Sequence, residues 1–358
     1  MEPDEYPKLF DGHNDTLLAL TLKGRGRGRS FFERNNTGHL DLPRAREGGF
    51  AGGLFACFAP PDPKGGWTEK TESVRLSGGY AATDSPPLPP EYALLSAERL
   101  TEKLFELEAE SGGTLRIART VREVEECLRT DVMAAVLHFE GAENLGDEPD
   151  ALETFHGRGL RSLGLVWSRP NAYASGVPFR FPASPDTGAG LTERGRELVR
   201  ECNRLGVLVD LSHLNERGFW DVAALTDAPL VASHSNAHAL CPSSRNLTDR
   251  QLDAIRDSDG LVGVNFAVSF LRQDGAANKD TPLATVADHV DYLVGRLGID
   301  RVGFGSDFDG AVMPIELRDA SGLPRLLETL RERGYGEPEL AKLAHRNWLR
   351  VLRRTWKK

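Results

Sequence analysis

Eight short apolar runs alternate with helix-like segments along most of this 358-residue chain. Each run has the length and residue types of a buried strand, and helical periodicity or capping signals separate the runs. The predicted strands cover residues 8–12, 49–58, 133–141, 163–167, 207–213, 230–234, 261–266 and 302–307. Strands that alternate with helices build parallel sheets, and eight of them are typical of a (β/α)8 barrel of the TIM type. A doubly wound open sheet is the alternative, but the strand count favours the barrel.

The segments between the strands complete the prediction. Helices are expected at residues 91–110, 192–205, 219–225 and 284–297, after Thr120 and Thr248, and as two amphipathic helices at the end of the chain. A small extra strand is expected at 115–118. Loop inserts are predicted near 21–47 and 60–90, and the Gly/Arg stretch 23–29 in the first is interpreted as a surface loop or a lid. With no internal repeat and no boundary signal, residues 1–358 are predicted to form one domain.

Composition and charge limit the partners and the cellular location that this chain is expected to have. The formal net charge of −9 argues against a nucleic-acid partner, which calls for a basic face. No apolar run approaches the roughly 20 residues that span a bilayer, so no membrane partner is expected. The acidic residues 1–5 lack the features of a signal peptide, and four scattered cysteines read as reduced thiols. We therefore expect a cytoplasmic protein.

Six polar residues are predicted to lie at one end of the barrel, where barrel enzymes carry their active sites. They lie at the ends of predicted strands one, three, five, six and eight: His13 and Asp15, Glu140, His213, His234 and Asp307. Histidines and carboxylates suit zinc or a similar divalent ion, and a carboxylate can bridge two ions. Each residue alone could be a helix cap or a satisfied core group, but six at matching positions favour a binuclear metal centre.

Residues that precede the six polar residues along the same strands give further expectations about the barrel interior. Gly305 and Ala232 lie two residues before Asp307 and His234, where small side chains would leave space beneath the site. His138 is either a packed core histidine or a support for the metal ligands. Asp210 should face away from the site if its strand is regular.

Short motifs in this order resemble the membrane (renal) dipeptidase family, peptidase family M19 of the amidohydrolase superfamily. They are Asp11-Gly12-His13-Asn14-Asp15, Glu140-Gly141, Ser212-His213, His234-Ser235-Asn236-Ala237, Ser244-Arg245-Asn246 and Gly305-Ser306-Asp307-Phe308-Asp309-Gly310. None is decisive alone, but together they cover nearly the whole predicted barrel. The chain looks like a soluble, bacterial-type member.

The resemblance implies a role for each matching residue. His13 and Asp15 would hold one zinc ion, His213 and His234 the other, and Glu140 would bridge them. A metal-bridging hydroxide would attack the peptide bond of a small dipeptide. Asp307 would be the proton shuttle, and Arg245 would hold the substrate carboxylate. The resemblance also implies a homodimer.

The chain departs from animal members after predicted strand four. Where they carry a histidine, this sequence has Trp167, so Trp167 and Asn171 are candidate substrate-binding residues. Asn171, like Arg169, could instead only shape the loop.

Three hypotheses of function remain open from the sequence. The first is a binuclear zinc dipeptidase, with L-D dipeptides as reasonable substrates. The second keeps the fold and the metals but hydrolyses another small amide, a lactone or an N-acyl amino acid. The third is a metal- or ligand-binding protein without turnover, against which the presence of Asp307 argues.

Overall fold

The computed structural model describes residues 6–22, 26–60, 73–76, 78–82, 85–146 and 150–357. Its strands are β1 (Leu9–Asn14), β2 (Phe50–Phe58), β3 (Ser73–Leu76), β4 (Gly79–Ala82), β5 (Leu115–Ile117), β6 (Met133–Glu140), β7 (Leu160–Gly164), β8 (Arg180–Phe181), β9 (Leu208–Asp210), β10 (Val231–Ala232), β11 (Leu261–Val264) and β12 (Val302–Phe304). Its α-helices are α1 (Thr16–Thr21), α2 (Leu42–Glu47), α3 (Pro90–Glu110), α4 (Val121–Arg129), α5 (Ala151–Arg158), α6 (Glu193–Leu205), α7 (Glu216–Leu225), α8 (Asp249–Asp257), α9 (Val268–Leu271), α10 (Leu283–Leu297), α11 (Leu323–Glu332), α12 (Glu337–Ala341) and α13 (Asn347–Thr355).

Eight parallel strands form a nearly closed barrel in the order β1-β2-β6-β7-β9-β10-β11-β12. The seam between the last strand and the first is closed by backbone hydrogen bonds just beyond the strand ends. Asp307 N donates to His13 O (3.0 Å), and Asp15 N donates to Phe308 O (2.8 Å). The helices between the strands surround this barrel, which confirms the predicted (β/α)8 fold. The small extra strand expected at 115–118 is β5, which pairs in parallel with β6.

Local sequence signals position several of the helices correctly. Thr120 begins α4 with a capping box, in which its hydroxyl accepts from Glu123 N (3.2 Å) and its own N–H donates to Glu123 Oε2 (2.9 Å). The two predicted C-terminal helices are α11 and a longer unit in which α12 and α13 are joined by a π-helical turn, Lys342–Arg346.

The second insert is not simply a loop. Within 60–90, β3 and β4 form an antiparallel hairpin that pairs with β8. The first insert is loop followed by α2, and residues 23–25 of its Gly/Arg stretch lie outside the described residues.

The C-terminal helix closes the bottom of the barrel. Trp348 of α13 is fully buried among Phe10, Val136 and Leu261, which line the barrel interior. Its indole Nε1 donates to Phe304 O (3.0 Å). A Cβ on Gly12 would lie 2.4 Å from Trp348 Cζ2, so this glycine makes room for the ring. Apolar packing therefore fills the lower barrel and leaves the polar residues at the opposite mouth.

Candidate metal centre

The structure brings all six predicted polar residues together at the C-terminal mouth of the barrel. Five of them are buried and Asp307 is partly buried, and their polar atoms face a common centre. They are His13 in β1, Asp15 directly after it, Glu140 at the end of β6, His213 after β9, His234 after β10 and Asp307 after β12.

Several of these residues lie beyond the ends of strands that the sequence predicted to be longer. The ladders of β9, β10 and β12 end two or three residues before His213, His234 and Asp307. His213 and Asp307 have left-handed backbone conformations, with φ of +67° and +61°. The backbone therefore turns at these positions, and strand alternation does not set the direction of their side chains. The fourth strand, predicted at 163–167, is Leu160–Gly164, so Trp167 lies in the following loop.

Glu140 lies between two groups of ligands. Its Oε1 is 2.9 Å from His213 Nε2 and 3.7 Å from His234 Nε2, while its Oε2 is 3.8 Å from His13 Nε2. His13 Nε2 is in turn 3.5 Å from Asp15 Oδ2. Two ligand atoms on one tetrahedral zinc lie about 3.3 Å apart, given bonds of about 2.0–2.1 Å. The spacing therefore fits a carboxylate with one oxygen directed to each of two metal positions.

Unsatisfied polar atoms also fit a metal. Both ring nitrogens of His13 and Oδ1 of Asp15 are buried and have no hydrogen-bond partner in the part of the chain that the structure describes. Asp15 occupies the position that precedes α1, but its side chain makes no capping hydrogen bond. Burying such groups without partners costs free energy that a bound cation would offset. The helix-cap alternative for Asp15 is therefore not supported by the structure.

The pKa values of the site residues are also consistent with metal binding. Burial raises the pKa of Glu140 well above its usual range. Burial lowers the pKa of His213 and His234 well below their usual range, so both rings are neutral and able to ligate. Burial alone would lower the pKa of His13 too, but the Glu140 and Asp15 carboxylates outweigh it and raise that pKa to about 10. The carboxylates thus draw positive charge into this site.

Asp307 faces the same centre from the barrel seam. Burial raises the pKa of its carboxyl to about 6, in a range useful for proton transfer near neutral pH. The side chain of Asn265, just after β11, donates from Nδ2 to Asp307 Oδ2 (2.9 Å). Sequence reasoning missed Asn265, since a single asparagine after a strand carries no distinctive signal. Asp307 also lies within 4.8 Å of His13 and Asp15, so the geometry would allow it as a ligand.

A cavity of about 200 Å³ opens above these residues. Its polar floor includes Asp15, Glu140, His213 and Asp307, and its walls include the aromatic rings of Phe58, Trp167, Phe179 and Phe270. The ring of Trp167 packs against those of Phe58 and Phe179, with centroid distances of 5.1 Å and 5.3 Å. The cavity can therefore enclose a small molecule with modest apolar groups next to the candidate metal ligands.

The other two predicted substrate contacts are placed differently. Arg245 is buried and is not among the residues that line the cavity. Its Nη1 donates to Ser235 Oγ and its Nη2 to His234 O, both at 2.9 Å, while Nε has no partner among the described residues. Asn171 does not line the cavity. Its amide donates to Glu143 and to Leu165 O and accepts from two backbone N–H groups. This geometry matches the loop-shaping alternative for Asn171.

Two expectations about the interior are wrong. Asp210 does not face away: it is buried under the site, where its Oδ2 accepts from Ser233 Oγ (2.5 Å). The strand-parity argument failed because the alternation from Asp210 to His213 is broken where β9 ends. Gly305 does not leave open space either, because a Cβ there would lie 1.9 Å from Ser233 O. This glycine allows close approach of two backbones.

His138 lies beside His13 under the site. Its Nδ1 is 2.9 Å from Ser162 Oγ, and its ring packs edge-on against that of His13 at 5.6 Å. Burial lowers the pKa of His138 to about 4, so the ring is neutral. It is both a packed core residue and a neighbour of a candidate ligand.

Comparisons with known proteins identify the family of this chain. The model of the membrane dipeptidase family, peptidase family M19, matches residues 5–357. One similar solved structure is a metallo peptidase from Rhodobacter sphaeroides, crystallised with a phosphinate mimic of the dipeptide L-Ala-D-Ala. Its sequence is 49% identical to this chain and its TM-score is 0.92, and the match covers 98% of this chain and 100% of that one. The crystal structure of dipeptidase AC, a metallo peptidase of family M19, is 48% identical with a TM-score of 0.90, covering 98% and 99%.

A fungal relative extends the comparison. Dipeptidase tcpJ of Claviceps purpurea is 30% identical over 351 residues, 96% of this chain and 76% of that protein. Despite the family's name, no helix among the described residues is both long and apolar enough to cross a membrane. Across its whole barrel, this chain belongs to the membrane dipeptidase family, peptidase family M19, and is a metal-dependent dipeptidase of that family.

Proposed function

We propose that this protein is a binuclear zinc dipeptidase. His13 and Asp15 hold one ion, His213 and His234 hold the other, and Glu140 bridges them. The observation that carries the proposal is the position of Glu140, whose two oxygens face His213 and His13 separately. Bound there, the ions would supply a water of lowered pKa and polarise the scissile carbonyl.

In this proposal the chain's other residues position the substrate and move protons. Asp307 accepts a proton from the attacking water and delivers it to the departing amine, a role supported by its raised pKa. Arg245 supplies the positive charge for the substrate's C-terminal carboxylate. Its unpartnered Nε, and guanidinium hydrogens beyond the two that Ser235 and His234 use, support this role. Trp167 packs against the substrate as part of the aromatic wall.

The substrate class follows from the cavity and from one relative. About 200 Å³ between aromatic walls suits a dipeptide with small side chains. The bacterial relative that is 49% identical binds a mimic of L-Ala-D-Ala. We therefore propose small L-Xaa-D-Xaa dipeptides as substrates. We also expect a homodimer, which light scattering would test.

A second candidate is hydrolysis of N-acyl amino acids or another small amide. One observation favours it: among the described residues that line the cavity, every carboxylate belongs to the metal centre or is Asp307. No separate acidic group there is dedicated to the free amino group of a dipeptide.

The deciding experiment combines elemental analysis with a substrate panel. We expect about two zinc ions per chain and turnover of free dipeptides, with L-Ala-D-Ala faster than L-Ala-L-Ala. Turnover confined to N-acylated substrates would favour the second candidate. Bound metal without turnover of any substrate would contradict both and support a ligand-binding role.

A further inference from the structure

A buried carboxylate and a hydroxyl lie in series beneath His234. Asp210 Oδ2 is 2.5 Å from Ser233 Oγ, and Ser233 Oγ is 2.7 Å from His234 Nδ1. All three residues are at most 1% exposed. Neither Asp210 nor Ser233 is a candidate metal ligand, so the proposed chemistry leaves both unexplained.

The direction of these hydrogen bonds follows from the donors available. Asp210 Oδ1 already accepts two backbone N–H groups, from Ser212 (3.0 Å) and Ser233 (2.8 Å). The carboxylate accepts at Oδ2 as well, from Ser233 Oγ, and this bond uses the single hydroxyl hydrogen of Ser233. Ser233 Oγ must then accept from Nδ1 of His234, which places the ring proton on Nδ1. Nε2 is left with its lone pair directed to Glu140 and His213.

We propose that Asp210 and Ser233 are positioning residues that fix His234 as the Nδ1–H tautomer, so that its Nε2 is ready to bind metal. The inference rests on the proposed role of His234 as a ligand. A neutral histidine whose other nitrogen is held by a partner is oriented for coordination, and such partners commonly change metal affinity 10–100-fold.

His213 offers a contrast within the same site. Its Nδ1 is 2.8 Å from Ser168 Oγ. Among the described residues, no carboxylate accepts the hydroxyl hydrogen of Ser168, which is therefore free to donate or accept. The hydrogen bonds from Asp210 through Ser233 to His234, hereafter the relay, thus specify the tautomer of His234. The tautomer of His213 is left open.

Replacing Asp210 by asparagine should reverse the relay. The amide oxygen can still accept from Ser212 and Ser233 N–H, which turns the NH₂ group towards Ser233 Oγ. Ser233 would then accept from the amide and donate to His234 Nδ1, which forces the ring proton onto Nε2. We expect Asp210→Asn to weaken binding of one of the two zinc ions 10–100-fold, measured by competition with a chelator.

Ser233→Ala gives the diagnostic comparison. It removes the hydroxyl that transmits the reversal, so it leaves His234 free to choose its tautomer and should weaken zinc binding less than Asp210→Asn. The double variant should then bind zinc like Ser233→Ala alone, because the asparagine can no longer act on His234. Additive losses in the double variant would overturn the relay.

Asp11→Asn is the matched control. Asp11 is a buried carboxylate that accepts from Ser306 N (2.6 Å) and Ser306 Oγ (2.8 Å), as Asp210 does from Ser233. The hydroxyl of that serine also bonds to the backbone oxygen of His13 (3.1 Å), but among the described residues it makes no hydrogen bond to an imidazole ring. The control should lower stability without the zinc-affinity pattern of Asp210→Asn. Equal losses of zinc affinity in both variants would overturn the proposal.

The tautomer can also be read without any destabilising substitution. Long-range ¹H–¹⁵N correlation spectra of zinc-free protein with ¹⁵N-labelled histidine should show His234, identified by its absence in His234→Gln, as Nδ1–H. An Nε2–H signal would overturn the proposal. If Asp210→Asn shifts the proton to Nε2 but zinc binds equally well, the relay is confirmed and the ligand role of His234 is wrong.

Discussion

Asn265 donates a hydrogen bond of 2.9 Å from its side-chain Nδ2 to Oδ2 of Asp307. The bond holds one oxygen of a partly buried carboxylate and leaves Oδ1 for proton transfer. It also limits rotation of a side chain whose backbone is in the left-handed region. The pair joins β11 to the barrel seam, directly beside the candidate metal ligands.

Asp307→Asn should abolish most turnover while both zinc ions stay bound. The asparagine keeps the size and can accept the same bond from Asn265, but it cannot accept the proton of the attacking water. General acid–base catalysis contributes about 10²- to 10⁴-fold, so kcat should fall by that range. Steady-state kinetics and elemental analysis measure the two effects.

Asn265→Ala is the companion variant. It removes only the orienting bond, so a smaller loss of kcat, about tenfold, is expected. If Asp307→Asn instead lost a zinc ion, Asp307 would be a ligand, as its distance from His13 and Asp15 allows, and the shuttle role would be wrong.

His13→Ala should reduce the zinc content from two ions to about one per chain without unfolding the barrel. Neither ring nitrogen of His13 has a hydrogen-bond partner among the described residues, so the substitution removes no hydrogen bond within the protein. Elemental analysis gives the stoichiometry, and circular dichroism of the zinc-free variant gives the fold. Retention of two tightly bound ions would contradict the proposed ligand set.

Trp167→Ala should widen the range of substrates. Removing the indole opens the wall between Phe58 and Phe179. We expect kcat/KM for L-Ala-D-Ala to fall about tenfold and that for dipeptides with a larger side chain to rise, which competition assays would measure. Trp167→Phe, which keeps an aromatic wall, serves as the control. An unchanged order of substrates in Trp167→Ala would rule out a role for this residue in selectivity.

The buried side chain of His289 should lower the free energy of unfolding in acid. This buried histidine of α10 accepts from Ala237 N at Nδ1 (3.2 Å), and its Nε2 bonds to Leu271 O (2.9 Å). Burial lowers its pKa from 6.5 to about 4. Below pH 6.5 the unfolded chain therefore binds a proton that the native state does not, and stability falls as the pH drops towards 4. The contribution lost at pH 5 is about 2 kcal/mol.

Urea unfolding of zinc-free protein at pH 7 and pH 5 tests this linkage. His289→Gln should show a smaller loss between the two pH values than the parent protein, by about 2 kcal/mol. Working without zinc removes the separate effect of protonating the metal ligands. Equal losses in the two proteins would show that His289 is not responsible.

The sequence by itself determined the barrel, its strand count and the candidate ligand set. Eight apolar runs of the right length can be buried only if helices cover them, and the Thr120–Glu123 capping box needs only local contacts to form. Polar residues at matching strand ends could be recognised together because a parallel barrel carries all those ends at one mouth.

Only the tertiary structure decided how the ligands are supported. Asp210 supports His234 through Ser233, and Asn265 supports Asp307. Both sets of hydrogen bonds join strands that are neighbours in space but far apart in the chain. The backbone turns at His213 and Asp307 break the strand period on which parity arguments depend, so the direction of Asp210 was predicted wrongly. Such contacts arise from the closure of the barrel, and no local pattern encodes them.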